Sequence, residues 1–219
     1  MADSNAAVAH AKCEAMKDKA VNHCPRVMFM LDAIRSLGCK VGDEPEKSFI
    51  SCAKLDGTKA GGFQTQGGTD PHIFLAEDVG YAQRQVCLSP YGQFFLTDYG
   101  LTLASFYNNW MQVEQTLTHE LVHAYDQCRA KVRWDNLLHH ACTEIRASAL
   151  SGECDYTEEV NRGNILKVPG QGEACVRRRA ELSVAMNPAC AGDKAKAAAA
   201  VASAFERCYF DTSPFRRMP

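Results

Sequence analysis

The residues with the clearest capacity for chemistry lie at 118–126, T-H-E-L-V-H-A-Y-D. Within them His119-Glu120-Leu121-Val122-His123 is an H-E-x-x-H match. On an α-helix, residues i and i+4 share a face one turn apart. His119 and His123 can therefore aim one imidazole nitrogen each at a single zinc ion. Glu120 stands beside them, placed to take a proton from a zinc-bound water whose pKa the metal lowers to about 7. Leu117, Leu121 and Val122 supply apolar positions around the pair, as a helix beneath a cleft requires.

Two histidines and a water leave a tetrahedral zinc one protein ligand short. A metzincin pattern needs glycine at position 126 and histidine at 129, where this chain has Asp126 and Arg129. The remaining candidates are His139, His140 and Glu144. Glu144 opens E-I-R-A in a helix-like stretch over 137–150, 21 residues after His123, which leaves room for a turn and a return helix. A glutamate on a second helix is the thermolysin-like arrangement, and E-x-x-A resembles the glutamate-helix pattern of that clan. Glu144 is the expected third ligand, with His140 next. His140 and Glu144 are themselves i and i+4, so His140 is expected to orient Glu144 or to stabilise an oxyanion. Asp126, one turn past His123, is either a supporting partner or a surface aspartate.

These residues need elements to hold them. Positions 6–37 are helical in pattern, broken by Pro25 into two helices and stopped by Gly38. The stretch 41–68 is rich in turn residues. Short strands are expected at 72–75 and 93–97, with Ile73-Phe74-Leu75 either an edge that pairs with extended substrate or a buried hairpin strand. Asn108 or Asn109 is expected to cap the site helix, which then runs to about residue 131. Trp134-Asp135-Asn136 turns the chain into the Glu144 helix. A polar connection over 153–171, a basic helix over 175–186 whose Arg177, Arg178 and Arg179 form a solvated face or, as the weaker alternative, pair with an acidic membrane surface, a break at Asn187-Pro188, an alanine-rich helix over 191–208 and an irregular tail follow.

The chain has 219 residues and a formal net charge of −2, which argues against a nucleic-acid role. No run approaches 18 consecutive apolar residues, and the start has no signal-peptide core. Eleven cysteines are dispersed along the chain with no C-x-x-C pair. They imply either buried thiols in a reducing compartment or disulfides in an oxidising one, and the odd count leaves at least one thiol unpaired within the chain.

Four ordered motifs carry a family resemblance: T-H-E-L-V-H-A-Y-D-Q-C-R-A, H-H-A-C-T-E-I-R-A-S-A-L-S-G-E-C, C-V-R-R-R-A-E-L-S and C-Y-F-D-T-S-P-F-R-R-M-P. They resemble the mitochondrial inner-membrane metalloproteases that process the membrane-embedded subunit a (subunit 6) of ATP synthase and assist its assembly. The resemblance runs from about Cys39 to the C-terminus. It implies one zinc per chain on His119 and His123, Glu120 as catalytic base, and a protein substrate. It also implies an intermembrane-space location, peripheral attachment to the inner membrane and import by oxidative folding. There are departures. A C-x-x-C common near 49–56 keeps only Cys52, with Leu55 at its second position; Ala76 stands where a cysteine is usual; and 80–107 is longer than usual.

The expected architecture is a mostly helical α+β, zincin-like metalloprotease domain over 1–219. It comprises a helical segment (1–38), a small-sheet and loop region (39–107), the zinc-binding helices (108–152) and C-terminal helices with a tail (172–219). The rival readings are a non-catalytic assembly chaperone using the same cleft and a metal-free, disulfide-rich structural partner.

Overall fold

The computed structural model describes residues 2–39, 41, 49–54, 60–66, 70–77, 98–161 and 170–219. The elements among them are α1 (Ala2–His23), α2 (Pro25–Ser36), β1 (Ile50–Ala53), β2 (Gly61–Gln66), β3 (Asp70–Ala76), α3 (Asp98–Ala130), α4 (Leu137–Leu150), α5 (Tyr156–Asn161), α6 (Gln171–Ala185), a 3-10 turn (Pro188–Cys190) and α7 (Lys194–Tyr209). The chain is mostly helical α+β, as its periodicities imply. It divides into two compact units: Met1–Phe29 with Gly42–Leu117, and Met30–Val41 with Thr118–Pro219.

In the first unit α1 buries Cys13, Met16 and Ala20 along one stripe, the i, i+3, i+7 spacing of a helix face. A Cys13–Cys52 disulfide fastens that stripe to β1. Pro25 opens α2 at its first position, where a missing N–H costs nothing. The three strands form a sheet in the order β1-β3-β2, with β1 parallel and β2 antiparallel to β3. Ile73 therefore lies between Ile50 and Phe63 in the register.

Two expectations change here. Ile73-Phe74-Leu75 belongs to the middle strand, so the buried-hairpin reading holds and the edge reading does not. The turn-rich stretch contains β1 and β2, because cross-strand pairing overrides weak local β preference. The strand expected over 93–97 falls outside the described residues, as does the part of the long 80–107 segment before Asp98. The site helix begins at Asp98, ten residues before the expected cap. Asn108 and Asn109 are interior positions, where the helix tolerates their low propensity.

The second unit positions the site. Asn136 caps α4, its side chain accepting from the N–H groups of Leu138 and His139. Its core is formed by Ala141 and Ile145 of α4, Val176, Ala180 and Val184 of α6, and Ala197, Val201 and Phe205 of α7. The alanines let three helices approach closely, and Asp193 caps α7 through the N–H groups of Ala195 and Lys196. Three disulfides staple this unit: Cys39–Cys128, Cys142–Cys208 between α4 and α7, and Cys154–Cys175 between the turn after α4 and α6. Each adds about 2–4 kcal/mol by restricting the unfolded chain. Cys24 and Cys190 are free and buried, and Cys87 lies outside the described residues.

Candidate metal centre

α3 and α4 bring the site together. Leu117, Leu121 and Val122 are wholly buried, and this fixes which face of α3 carries His119 and His123. The two imidazole rings stand 4.8 Å apart, nearly perpendicular. Glu144 of α4 reaches between them. Its Oε2 is 3.5 Å from His119 Nε2 and its Oε1 is 3.5 Å from His123 Nε2. One donor atom from each of His119, His123 and Glu144 lies within 4.8 Å of the other two. Glu120 is buried beside them on α3.

Each donor has a backing group. His123 Nδ1 lies 2.9 Å from Thr143 Oγ1, and the Thr143 hydroxyl bonds in turn to the Asp126 carboxylate. His123 thus donates from Nδ1 and keeps its Nε2 lone pair for the cluster. Asp126 is no surface aspartate: it is buried, and the guanidinium Nε of Arg146 contacts both its carboxylate oxygens, at 3.1 and 3.0 Å. Arg146 is wholly buried and also holds the tail, through the backbone carbonyls of Asp211 and Ser213 and the Asp211 carboxylate.

Glu144 is backed by His140, whose Nε2 is 3.1 Å from Glu144 Oε1. Asn187 settles the His140 tautomer. Its side-chain oxygen accepts from the Ala189 N–H, and its Nδ2 donates to the Trp134 carbonyl and to His140 Nδ1. His140 Nδ1 is then an acceptor, so the proton sits on Nε2 and points at Glu144. The indole of Trp134 packs edge-on against both His123 and His140, with ring centres 5.7 Å from each. His139 turns away and accepts from the Arg133 N–H at 3.3 Å.

The third backing group, for His119, is Glu153. Its Oε1 is 3.2 Å from His119 Nδ1, and its Oε2 is 2.6 Å from Arg179 Nη2 on α6. Nothing in the sequence reading singled it out. Its only signal is position, directly before Cys154 in a motif whose next cysteine, Cys175, stands one turn before Arg179. The arginine row is not a simple solvated face. Arg177 lies over the Phe205 ring at 3.3 Å, Arg178 pairs with Glu159 at 3.0 Å, and Arg179 pairs with Glu153.

The electrostatics fit a cation. Burial pushes His119 toward the neutral form, but the Glu153 and Glu144 carboxylates outweigh it and raise its pKa well above the ordinary value. Burial holds the His123 pKa at about 3. Burial pushes Glu144 up, yet His123, His119 and His140 hold it well below the usual carboxylate range. Glu144 Oε2 is buried and makes no hydrogen bond. A buried carboxylate set 3.5 Å from two imidazole nitrogens, one oxygen making no hydrogen bond, suits a divalent metal ion.

Two imidazoles one helical turn apart, a buried glutamate between them in sequence and a carboxylate on the adjoining helix are the residue types of a metal-dependent peptidase site. Residues 11–216 match the Peptidase M76 family, and the chain belongs to that family. Among its relatives, the mitochondrial inner membrane protease ATP23 of Debaryomyces hansenii is 38% identical over 206 residues, spanning 94% of this chain and 72% of that protein. The protein of the same name from Meyerozyma guilliermondii is 37% identical over 210 residues, spanning 94% and 70%. That of Mycosarcoma maydis is 52% identical over 104 residues, 47% of each chain. No solved structure matches the chain. The chain is a metallopeptidase of a mitochondrial protease family, acting on protein. Among the described residues no helix is long and apolar enough to cross a membrane.

Proposed function

We propose that this chain is a zinc endopeptidase in which His119, His123 and Glu144 hold the metal, Glu120 is the catalytic base and His140 orients Glu144. The observation that carries the reading is the convergence of the three donors within 4.8 Å. Two imidazoles and one carboxylate are a zinc donor set with a fourth position left for water. Bound zinc would polarise the scissile carbonyl and acidify the attacking water. Glu120 accepts the proton of that water and passes it to the leaving amine. The N–H of His140 fixes the carboxylate plane of Glu144, and Thr143 fixes the ring of His123, so neither ligand must reorganise during the reaction.

The substrate in this proposal is the precursor of the ATP synthase membrane subunit, cleaved in the intermembrane space by an enzyme peripheral to the inner membrane that also assists assembly. Its support is the four-motif resemblance, the inner-membrane names of the relatives and the four disulfides, which fit an oxidising compartment. The test is Glu120→Gln in cells lacking the native protein. Processing should fall by about 10²–10⁴ while the variant stays folded and zinc-loaded. Assembly should persist if a chaperone role uses the same surface. Unchanged processing removes Glu120 as the base. Loss of assembly together with processing, in a folded and loaded variant, shows that assembly needs the cleavage itself.

A further inference from the structure

His123 and Glu144 are backed by groups on their own pair of helices. His119 is backed from elsewhere, by a glutamate in the turn after α4 that reaches an arginine on α6. Glu153 is buried, and a buried carboxylate is costly unless paired. Both of its oxygens face a cationic or N–H partner: His119 Nδ1 at 3.2 Å and Arg179 Nη2 at 2.6 Å. His119 Nδ1 is itself buried and makes no hydrogen bond in this orientation, and a small rotation of the ring onto the carboxylate 3.2 Å away satisfies it. Glu153 approaches the ring from the side opposite Nε2, the atom that faces Glu144, and so stands outside the donor cluster. The neighbouring Cys154 is bonded to Cys175. That bridge also ties the turn to α6.

The geometry points to Glu153, braced by Arg179, as the positioning residue of His119: its carboxylate accepts a hydrogen bond from Nδ1–H and so presents the Nε2 lone pair to the metal. This rests on the metal reading given above. A histidine that ligates through one nitrogen is oriented by what its other nitrogen donates to, and a carboxylate there also raises its basicity as a ligand. Arg179 Nη2, 2.6 Å from Oε2, braces the carboxylate and leaves Oε1 to accept from the ring. The Cys154–Cys175 bridge joins the residue after Glu153 to the helix of Arg179, with Cys175 and Arg179 at i and i+4 on one face.

The experiment measures zinc affinity, by competition with a chromophoric chelator, on the purified oxidised full chain and its Glu153→Ala, Glu153→Gln and Arg179→Met variants. Wild type should bind one zinc. Glu153→Ala should bind about 10–100-fold more weakly. Glu153→Gln should recover part of that loss, because its amide oxygen still accepts the Nδ1 proton. Arg179→Met should show a smaller loss in the same direction, and substituted cobalt should show a shifted d–d spectrum in Glu153→Ala. A purely structural role would lower the melting temperature of the metal-free protein and leave affinity and spectrum unchanged. Unchanged affinity in folded Glu153→Ala overturns this inference and leaves the metal site standing. If Glu153→Ala does not fold, Arg179→Met decides, since that side chain is 38% exposed: unchanged affinity there is the refuting result. A wild-type chain that binds no zinc overturns the metal reading itself and this inference with it.

Discussion

Replacing Arg146 with methionine removes the hub that joins α4 to the C-terminal tail. The Arg146 side chain is wholly buried and the Asp126 side chain only 5% exposed. Taking away one partner of a buried pair leaves an uncompensated charge, which typically costs about 3–5 kcal/mol. Arg129 lies 3.2 Å from Asp126 and remains, so the lower end, about 3 kcal/mol, is expected. For a chain of this size, 1 kcal/mol moves the melting temperature by about 2–4 °C. Arg146→Met should therefore melt roughly 6–12 °C below wild type. The tail, held by Arg146 through Asp211 and Ser213, should also become open to limited proteolysis over 210–219. The double variant Arg146→Met/Asp126→Asn should regain part of the loss, because the stranded charge is gone. A single-variant drop below about 2 °C, or a double variant clearly worse than the single, refutes the view that this ion cluster pins the tail to the site helix.

Three further outcomes follow from particular groups. Glu144→Ala should lose bound zinc with the fold largely intact, and His140→Ala should keep more of it; zinc retained in the first and lost in the second would move the ligand from Glu144 to His140. Thiol counting in denaturant without reductant should find at most three groups, since eight of the eleven cysteines are in bridges; nine or more would overturn both the disulfide set and the oxidising compartment. Burial pushes the Asp211 carboxyl up, but Arg129 and Arg146 outweigh it and hold its pKa at about 2. A depressed acid stabilises the fold above its unfolded pKa and loses that contribution as pH falls toward 2. The stability gap between wild type and Asp211→Asn, followed by urea denaturation, should thus be full near pH 6, narrow below about pH 4 and close only near pH 2; a gap independent of pH would exclude Asp211 as the titrating anchor.

What could be read from the chain alone follows the range of the interactions. His119, Glu120 and His123 were legible because their geometry is set within one helical turn. Glu144 and His140 were legible because a second helix at the right distance has few places to put a carboxylate, and i, i+4 spacing pairs the two. Glu153 was not legible. It sits in a polar connection, and its meaning depends on Arg179 and on Cys154 pairing with Cys175, which sequence spacing does not specify. The same limit hid the buried role of Asp126, which needs Arg146 twenty residues away, and the contacts of Arg177, Arg178 and Arg179 with three different partners. In the sheet, Ile73-Phe74-Leu75 was recognisable as a strand by its β-branched and aromatic residues. Its central place depends on β1, whose Ile50 pairs with Ile73, 23 residues along the chain, and local pattern carries no information on strand order.

The most direct test of the account is the metal content of the purified oxidised chain, measured by elemental analysis alongside His123→Ala and Glu120→Gln. The arrangement of His119, His123 and Glu144 predicts one zinc per chain in wild type and in Glu120→Gln, and a large loss in His123→Ala. Wild-type protein that folds, forms its disulfides and binds no zinc when dialysed against it would contradict the account.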